Sequence, residues 1–184
     1  MFVILYIGIQ IVFELVGKFY CNDRRVCMNR YEEGLKLIEE SCGNSKDNVI
    51  ALSTIALEST QEGQPYPYVR QVDAFYEDGV FYVTTWGKSN KIKQIEKNNQ
   101  VAFTVGFDGI SGFGRGENLG WVMDPKNAAI REKVRYAFRD WYDDANNEKD
   151  ENCVLLAIHM KKTTIFRDHG ATVYNLDFEN KCEF

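Results

Sequence analysis

The sequence has little of what a disulfide-bonded, metal-stabilised or nucleic-acid-binding protein needs. Its five cysteines are odd in number and no two have Cys-x-x-Cys spacing, which gives no support to a zinc ribbon or a thioredoxin-like motif. Its 22 Lys and Arg against 27 Asp and Glu leave a formal net charge of −5. Nonspecific nucleic-acid binding relies on phosphate neutralisation, so an acidic chain is a poor candidate for it. We therefore expect a cytoplasmic protein with reduced thiols and no nucleic-acid partner.

The longest apolar run is MFVILYIGIQIVFELVG at the start of the chain. No basic residue precedes it and no small-residue cleavage pattern follows it, unlike a secretory signal. It is also shorter than the roughly 20 residues of a spanning helix, and Glu14 interrupts it. We interpret residues 1–27 as an extension outside the fold and residues 28–184 as one domain. A membrane anchor and a helix packed on the domain are the alternatives, and we expect membrane contact only with an anchor.

The rest of the chain is rich in strand patterns. Glu77-Asp78-Gly79 predicts a hairpin between two of them. Residues 168–184 carry little pattern. The absence of regular βαβ alternation, together with short strands and glycine bends, predicts a mainly β protein with flanking helices, built as a small antiparallel split β-barrel. The predicted elements are helices over 31–40, 88–98 and 124–143, and strands over 49–57, 66–76, 80–86, 100–107, 110–123, 154–160 and 163–166.

Several features invite a functional interpretation but are better explained by structure. The glycines between Gly112 and Gly120 lack the spacing of a dinucleotide-binding loop, and barrel bends explain them better. His159 lies in an apolar strand and is interpreted as a core or interface histidine rather than a haem or metal ligand. The acidic residues over 143–151 have no glycine-turn framework and indicate a solvated loop. We therefore expect no metal site.

One local pattern indicates chemistry, where a strand is followed by a helix. Ser89 is placed to cap that helix, which puts Lys91 in its first turn, where a cation faces the positive end of the helix dipole. A bound anion would make that arrangement favourable. Thr84 and Thr85 end the preceding strand, and Arg70 in the paired strand adds a planar donor suited to phosphate. The alternative is a solvated basic helix face with a capping serine.

The stretch VRQVDAFYEDGVFYVTTWGKSNKIKQIEKNNQVAF resembles the flavin-binding half of pyridoxamine 5'-phosphate oxidase-like split-barrel proteins. The shared pattern is an Arg in one strand, an acidic-Gly hairpin, an aromatic strand that ends in Thr, Ser-x-Lys at the start of a helix, and an Asn-rich turn before the next strand. The order of elements from about residue 31 to residue 166 is similar too. The resemblance implies the FMN-binding split-barrel fold.

The resemblance also implies FMN at the interface of a homodimer. Ser89 and Lys91 would bind its phosphate, helped by Thr84 or Thr85. Arg70 would lie near the phosphate or the polar edge of the ring. Val72 follows two residues later, hence on the same side of its strand, and would pack against the isoalloxazine. Because a flavin supplies the redox chemistry, no catalytic acid or base needs to be visible, and no catalytic residue is assigned.

The second half of the chain does not identify the substrate. Phe166-Arg167-Asp168-His169 is the nearest counterpart of the family's Arg and His set for pyridoxal phosphate, and its position and spacing do not match. We therefore expect an oxidoreductase acting on another small molecule. The alternatives are a non-catalytic flavin- or haem-binding module on the same barrel, a deazaflavin in place of FMN, and a membrane-tethered form of either protein.

Overall fold

The eight strands among the described residues form one antiparallel sheet, and six of them close into a ring. The structure, a computed structural model, describes residues 24–106 and 109–184, with side chains from residue 29 onward. Its main helices are α1 (Arg24–Cys42), α2 (Asn90–Lys97), α3 (Ala128–Ala137) and α4 (Tyr142–Ala145), with 3₁₀ turns at Pro125–Asn127 and Asp168–Gly170. Its strands are β1 (Asn48–Ser59), β2 (Pro65–Glu77), β3 (Val80–Trp86), β4 (Gln100–Val105), β5 (Ile110–Trp121), β6 (Cys153–Arg167), β7 (Thr172–Asp177) and β8 (Cys182–Glu183).

Six of these strands form a ring. Their order is β3-β2-β1-β4-β5-β6, and a further pairing of β3 with β6 closes it. Strands β7 and β8 extend the sheet outward from β6. All pairings are antiparallel. The predicted fold class, a mainly β split barrel with flanking helices, is confirmed.

The predicted hairpin joins β2 to β3 through two residues. Asp78 and Gly79 have φ angles of 47° and 79°. Two successive positive φ angles match the twist of the flanking strands, and Asp-Gly adopts them at low cost. The turn joins the strand that carries Arg70 to the strand that ends in Thr85, and the two strands pair next to the turn, from Phe75 opposite Tyr82 to Glu77 opposite Val80.

Alternation along the strands divides the apolar residues between two layers. Inward-facing side chains fill the barrel, including Ile50, Leu52, Phe81 and Phe103, all nearly fully buried. A second cluster lies outside the barrel, where α3 and α4 cover the outer face of β2, β3 and β6. Each large apolar side chain buried in this way contributes about 1.5–3 kcal/mol before entropy is counted. The barrel wall between the layers is therefore fixed from both sides.

Helix α2 covers one end of the barrel. Ile92 and Ile95 are the apolar side chains by which it enters the core. It can approach closely because Gly116 in β5 has no side chain: a Cβ there would lie 2.9 Å from two carbon atoms of Ile95. The close approach fixes the position of the helix and of its N terminus.

Glycines are required elsewhere in β5 for the same reason. A Cβ on Gly114 would lie 2.0 Å from the carbonyl oxygen of His159 in the paired strand. The strand is irregular near Gly114 and again near Gly120. The glycine-rich segment is thus a bent barrel strand, which confirms the structural interpretation of these residues.

The structure departs from the predicted elements at both ends. Helix α1 begins at Arg24, seven residues earlier than expected, and its Arg30 donates to both carboxylate oxygens of Glu183 in β8. The tail forms β7 and β8, which were not predicted because few of its residues are buried. The two last predicted strands are one strand, β6, and the predicted helix over 124–143 is broken into shorter segments.

The apolar N-terminal run lies outside the described residues. Of the predicted extension over residues 1–27, only the backbone of residues 24–27 is described, and it is part of α1. Residues 1–27 as a separate extension therefore stay a prediction. Among the helices that are described, none combines the length and the apolar character needed to cross a bilayer.

The contact between Gly116 and Ile95 predicts a defined response to a larger side chain. Gly116→Val should lower the free energy of unfolding by about 1–3 kcal/mol, because the added methyl groups overlap Ile95 and push α2 away from the barrel. Chemical denaturation measures the change. The control is Arg115→Val, one residue earlier with an exposed side chain. Equal stability of the two variants would contradict the close seating of α2.

Candidate functional site

Ser89 stands at the N terminus of α2 without capping it through its side chain. Its backbone is extended, with φ −66° and ψ 155°, and its carbonyl accepts from the Lys93 amide at 3.2 Å. The hydroxyl makes no cap hydrogen bond, is fully buried, and has no partner among the described residues. The amides of the first helical turn likewise have no intrahelical acceptor. The predicted cap position is confirmed, and the hydrogen-bonding capacity of its hydroxyl is unused within the described residues.

Lys91 folds back toward the strand that precedes the helix. Its Nζ donates to Thr85 Oγ1 at 2.7 Å. Burial lowers the pKa of Lys91, and the positive charge of Arg70 lowers it further. The ammonium therefore lies in an unfavourable place, partly desolvated, beside a second cation and at the positive end of a helix dipole.

Arg70 faces the barrel interior and is held by two buried polar side chains. It lies opposite Leu52 in the register of β1 and β2, which puts both on one face. One terminal nitrogen donates to Thr54 Oγ1 at 2.6 Å and the other to Gln94 Oε1 at 2.7 Å. The Thr54 hydroxyl donates in turn to Gln94 Oε1 at 2.5 Å. Burial lowers the pKa of Arg70. All of its partners here are neutral.

No carboxylate among the described side chains pairs with Lys91 or Arg70. Cations that are fully buried in folded proteins are nearly always paired, whereas these two are partly buried and have no described carboxylate partner. We call the group of Ser89, Lys91, Arg70 and Thr85 the cationic corner. Its free hydroxyl, its orphan amides and its two uncompensated positive charges fit an anion with several acceptor oxygens, such as a phosphate.

The two threonines of β3 are not equivalent. Thr85 shares the inward face of the strand with Val83 and belongs to the cationic corner. Thr84 lies on the outward face, beside the buried Tyr142. Alternation along a strand requires this separation. The sequence named both residues as candidates, and the structure brings only Thr85 to Lys91.

Val72 lies on the same face of β2 as Arg70, as the spacing predicted. It is partly buried and packs against the barrel core. Its contact with a flavin ring stays a prediction.

Sequence reasoning missed Thr54 and Gln94. Both are almost fully buried, at 1% and 4% exposure. A signal for Gln94 was present: it follows Lys91 by three residues and hence shares its side of the helix. Thr54 had no such signal, because it meets Arg70 only through the register of two strands.

Other polar groups singled out in the sequence are engaged elsewhere. His159 is on the outward face of β6, and its Nε2 lies 3.0 Å from Glu117 Oε2. In the acidic loop, Glu148 accepts from Arg131 and from the Tyr142 hydroxyl, which lowers the pKa of that carboxyl. Within the described residues no three His, Cys, Asp or Glu side chains are grouped to hold a metal ion.

Comparison with known proteins gives structural matches only. No protein-family model matches the chain. A search of curated protein sequences also finds no match.

Solved structures share the fold at low sequence identity. One is a Clostridium acetobutylicum protein related to general stress protein 26 of B. subtilis, of the pyridoxinephosphate oxidase family: TM-score 0.54, 16% identity, covering 84% of this chain and 98% of that one. Another is a NimC/NimA family protein from the same organism: TM-score 0.52, 20% identity, 79% and 93% coverage. A haem-binding protein from Mycobacterium smegmatis gives TM-score 0.54, 13% identity, 79% and 59% coverage. The resemblance seen in the sequence is thus confirmed at the level of the fold.

The proximity of the two cations predicts a measurable coupling. Arg70→Met should raise the pKa of Lys91, because it removes a positive charge that disfavours the ammonium. A side-chain NMR titration of the lysines measures the change. Arg139→Met is the control, since Arg139 contributes nothing to the lowered pKa of Lys91. An unchanged Lys91 titration in Arg70→Met would show that the two cations do not share a site.

Proposed function

We propose that this chain is a flavoprotein that binds FMN, with the flavin's terminal phosphate in the cationic corner, and that it is an oxidoreductase acting on a small molecule. The observation that carries the proposal is the buried hydroxyl of Ser89, which has no described partner, at a helix N terminus that also holds an uncompensated Lys91. A phosphate would satisfy the hydroxyl, accept from the orphan amides and neutralise the cations together. The fold, shared with a member of the pyridoxinephosphate oxidase family, supports a flavin as the group that carries this phosphate.

The charge of the site favours FMN over FAD. A phosphate monoester carries about −1.5 to −2 charges at neutral pH. Lys91 and Arg70 together supply two positive charges, which match a terminal monoester. In FAD each phosphorus has one ester and one anhydride linkage and carries a single negative charge, so one FAD phosphate at this corner would balance only one of the two cations.

Each residue of the corner has a distinct role toward FMN in this proposal. Ser89 and Lys91 bind the phosphate oxygens. Thr85, which accepts from Lys91 at 2.7 Å, orients the ammonium. Arg70 binds the phosphate or the polar edge of the ring, and Val72 packs against the ring. Thr84 has no role here because its side chain is on the opposite face of β3.

The bound flavin would supply hydride or electron transfer, and the protein would supply orientation and charge near the ring. Lys91 and Arg70 would act on the ligand by charge and hydrogen bonding. A haem- or flavin-holding module without turnover is the second candidate, and it is supported by the fold shared with a haem-binding protein.

We further propose that a second copy of the chain covers an open face of the barrel. This open face is formed by outward-facing residues of β1, β2, β4 and β5, and Val49, Val69 and Phe113 on it are 46%, 64% and 49% exposed. Small side chains such as Ala51 and Ala102 lie between them. Val69 precedes Arg70 in β2, so the open face lies on the outer side of the same strand whose inner side carries Arg70. The resemblance to the split-barrel family implies a homodimer with flavin at its interface, and this exposed apolar face is the surface at which the second copy would bind.

The phosphate assignment predicts different effects for two lysines of one helix. Lys91→Ala should weaken FMN binding by about 10–100-fold, the loss expected for a hydrogen bond to a charged group. Lys97→Ala should leave it within about twofold, because Lys97 is exposed and donates only to the Leu57 carbonyl. Flavin fluorescence quenching measures both dissociation constants.

The spectrum of the purified protein separates the candidate ligands. A flavin absorption band supports the proposal, and its bleaching by NADH supports turnover. A Soret band in its place would favour haem. Equal FMN affinity of the two lysine variants would contradict the phosphate assignment.

The open face predicts a dimer that charge disrupts. Val69→Glu should convert the protein to a monomer, because two like charges would be buried across the symmetric interface. Light scattering after size exclusion measures the mass. The control is Tyr136→Glu, an equally exposed apolar position on α3, away from that face. A dimer that persists in Val69→Glu, or a monomeric unaltered protein, would contradict this interface.

A further inference from the structure

We infer that Gln94 is a positioning residue for phosphate recognition: it holds Arg70 in the cationic corner and takes no part in binding the ligand itself. The inference rests on the proposed function. It assigns a role to a buried polar side chain that neither the sequence pattern nor the fold comparison identifies.

The geometry around Gln94 directs its carbonyl oxygen at two donors. Oε1 lies 2.7 Å from a terminal nitrogen of Arg70 and 2.5 Å from Thr54 Oγ1. Thr54 Oγ1 also accepts from the other terminal nitrogen of Arg70 at 2.6 Å. The guanidinium is therefore held at both of its ends by neutral acceptors. Arg70 keeps its full charge while its orientation is fixed.

A neutral acceptor is what this position requires. Arg70 and Lys91 repel one another, and an unrestrained arginine side chain would move its charge into water. Such a movement toward water is possible, because the guanidinium already lies 5.0 Å from the centre of the exposed Tyr68 ring. A carboxylate in place of the amide would hold Arg70 equally well but would cancel its charge. Glutamine gives orientation without neutralisation.

Helix α2 links the hydrogen bonds that hold Arg70 to the position of Lys91. Gln94 follows Lys91 by three residues, so both project from neighbouring positions of α2. Lys91 reaches Thr85 in β3, and Gln94 reaches Arg70 in β2. One short helix thus sets the positions of both cations. Loss of Gln94 should therefore impair recognition of the phosphate and leave recognition of the flavin ring unchanged.

The test is a double-mutant cycle read with two ligands, FMN and riboflavin, which differ only in the phosphate. Gln94→Met keeps the side-chain length and removes the acceptor. It should weaken FMN binding about tenfold and leave riboflavin binding within about twofold. In an Arg70→Met background, Gln94→Met should cause no further loss of FMN affinity. Gln61→Met is the matched control, an exposed glutamine in the turn between β1 and β2, and should change the affinity for neither ligand.

The outcomes separate this inference from the proposed function. Equal losses for FMN and riboflavin, or additive losses in the double variant, would overturn the role of Gln94 while FMN binding by the unaltered protein stands. Failure of the unaltered protein to bind FMN would overturn both. If Gln94→Met does not fold, Gln94→Glu replaces it. That variant keeps the acceptor but cancels the charge of Arg70, so it should weaken FMN binding and leave riboflavin binding unchanged. An unchanged FMN affinity would overturn the inference.

Discussion

Two positive charges lie close together at the end of the barrel, and no described carboxylate balances them. The pKa of Lys91 is lowered both by burial and by the charge of Arg70, and the dipole of α2 adds to the cost. A folded chain gains nothing from such an arrangement by itself. It becomes favourable when an anion occupies the space, because one ligand then satisfies the cations, the orphan amides and the hydroxyl of Ser89 together. The proposed flavin binding, its phosphate specificity and the proposed role of Gln94 all depend on this interaction.

The fold produces the cationic corner through a few geometric requirements. Closure of the sheet by β3 and β6 fixes Thr85, and the pairing of β2 with β1 fixes Arg70 opposite Leu52. Helix α2 is seated on the barrel end by Ile92 and Ile95, at a distance that Gly116 permits. The core therefore determines the separation of the cations. Because packed interiors resist compression, the repulsion cannot be relieved by a small movement of the helix.

Much of this arrangement was predictable from local patterns. Strand alternation, the Asp-Gly hairpin and the glycine bends indicated the barrel, and Ser89 with Lys91 indicated where the candidate anion site lies. What was missed depends on contacts between distant segments. Thr54 meets Arg70 only through strand register, and the choice between Thr84 and Thr85 needed the face of β3 that points inward. Strand β7 was missed because few of its residues are buried, so its sequence shows no clear strand pattern. Its backbone pairing with β6 is what makes it a strand.

The most direct measurement is a crystal structure of the full chain with FMN bound. We expect the phosphate within hydrogen-bond distance of Ser89 Oγ and Lys91 Nζ, with the guanidinium of Arg70 still held by Gln94. A phosphate bound elsewhere, with the Ser89 hydroxyl still lacking a partner, would contradict the central claim that this corner is built for an anion.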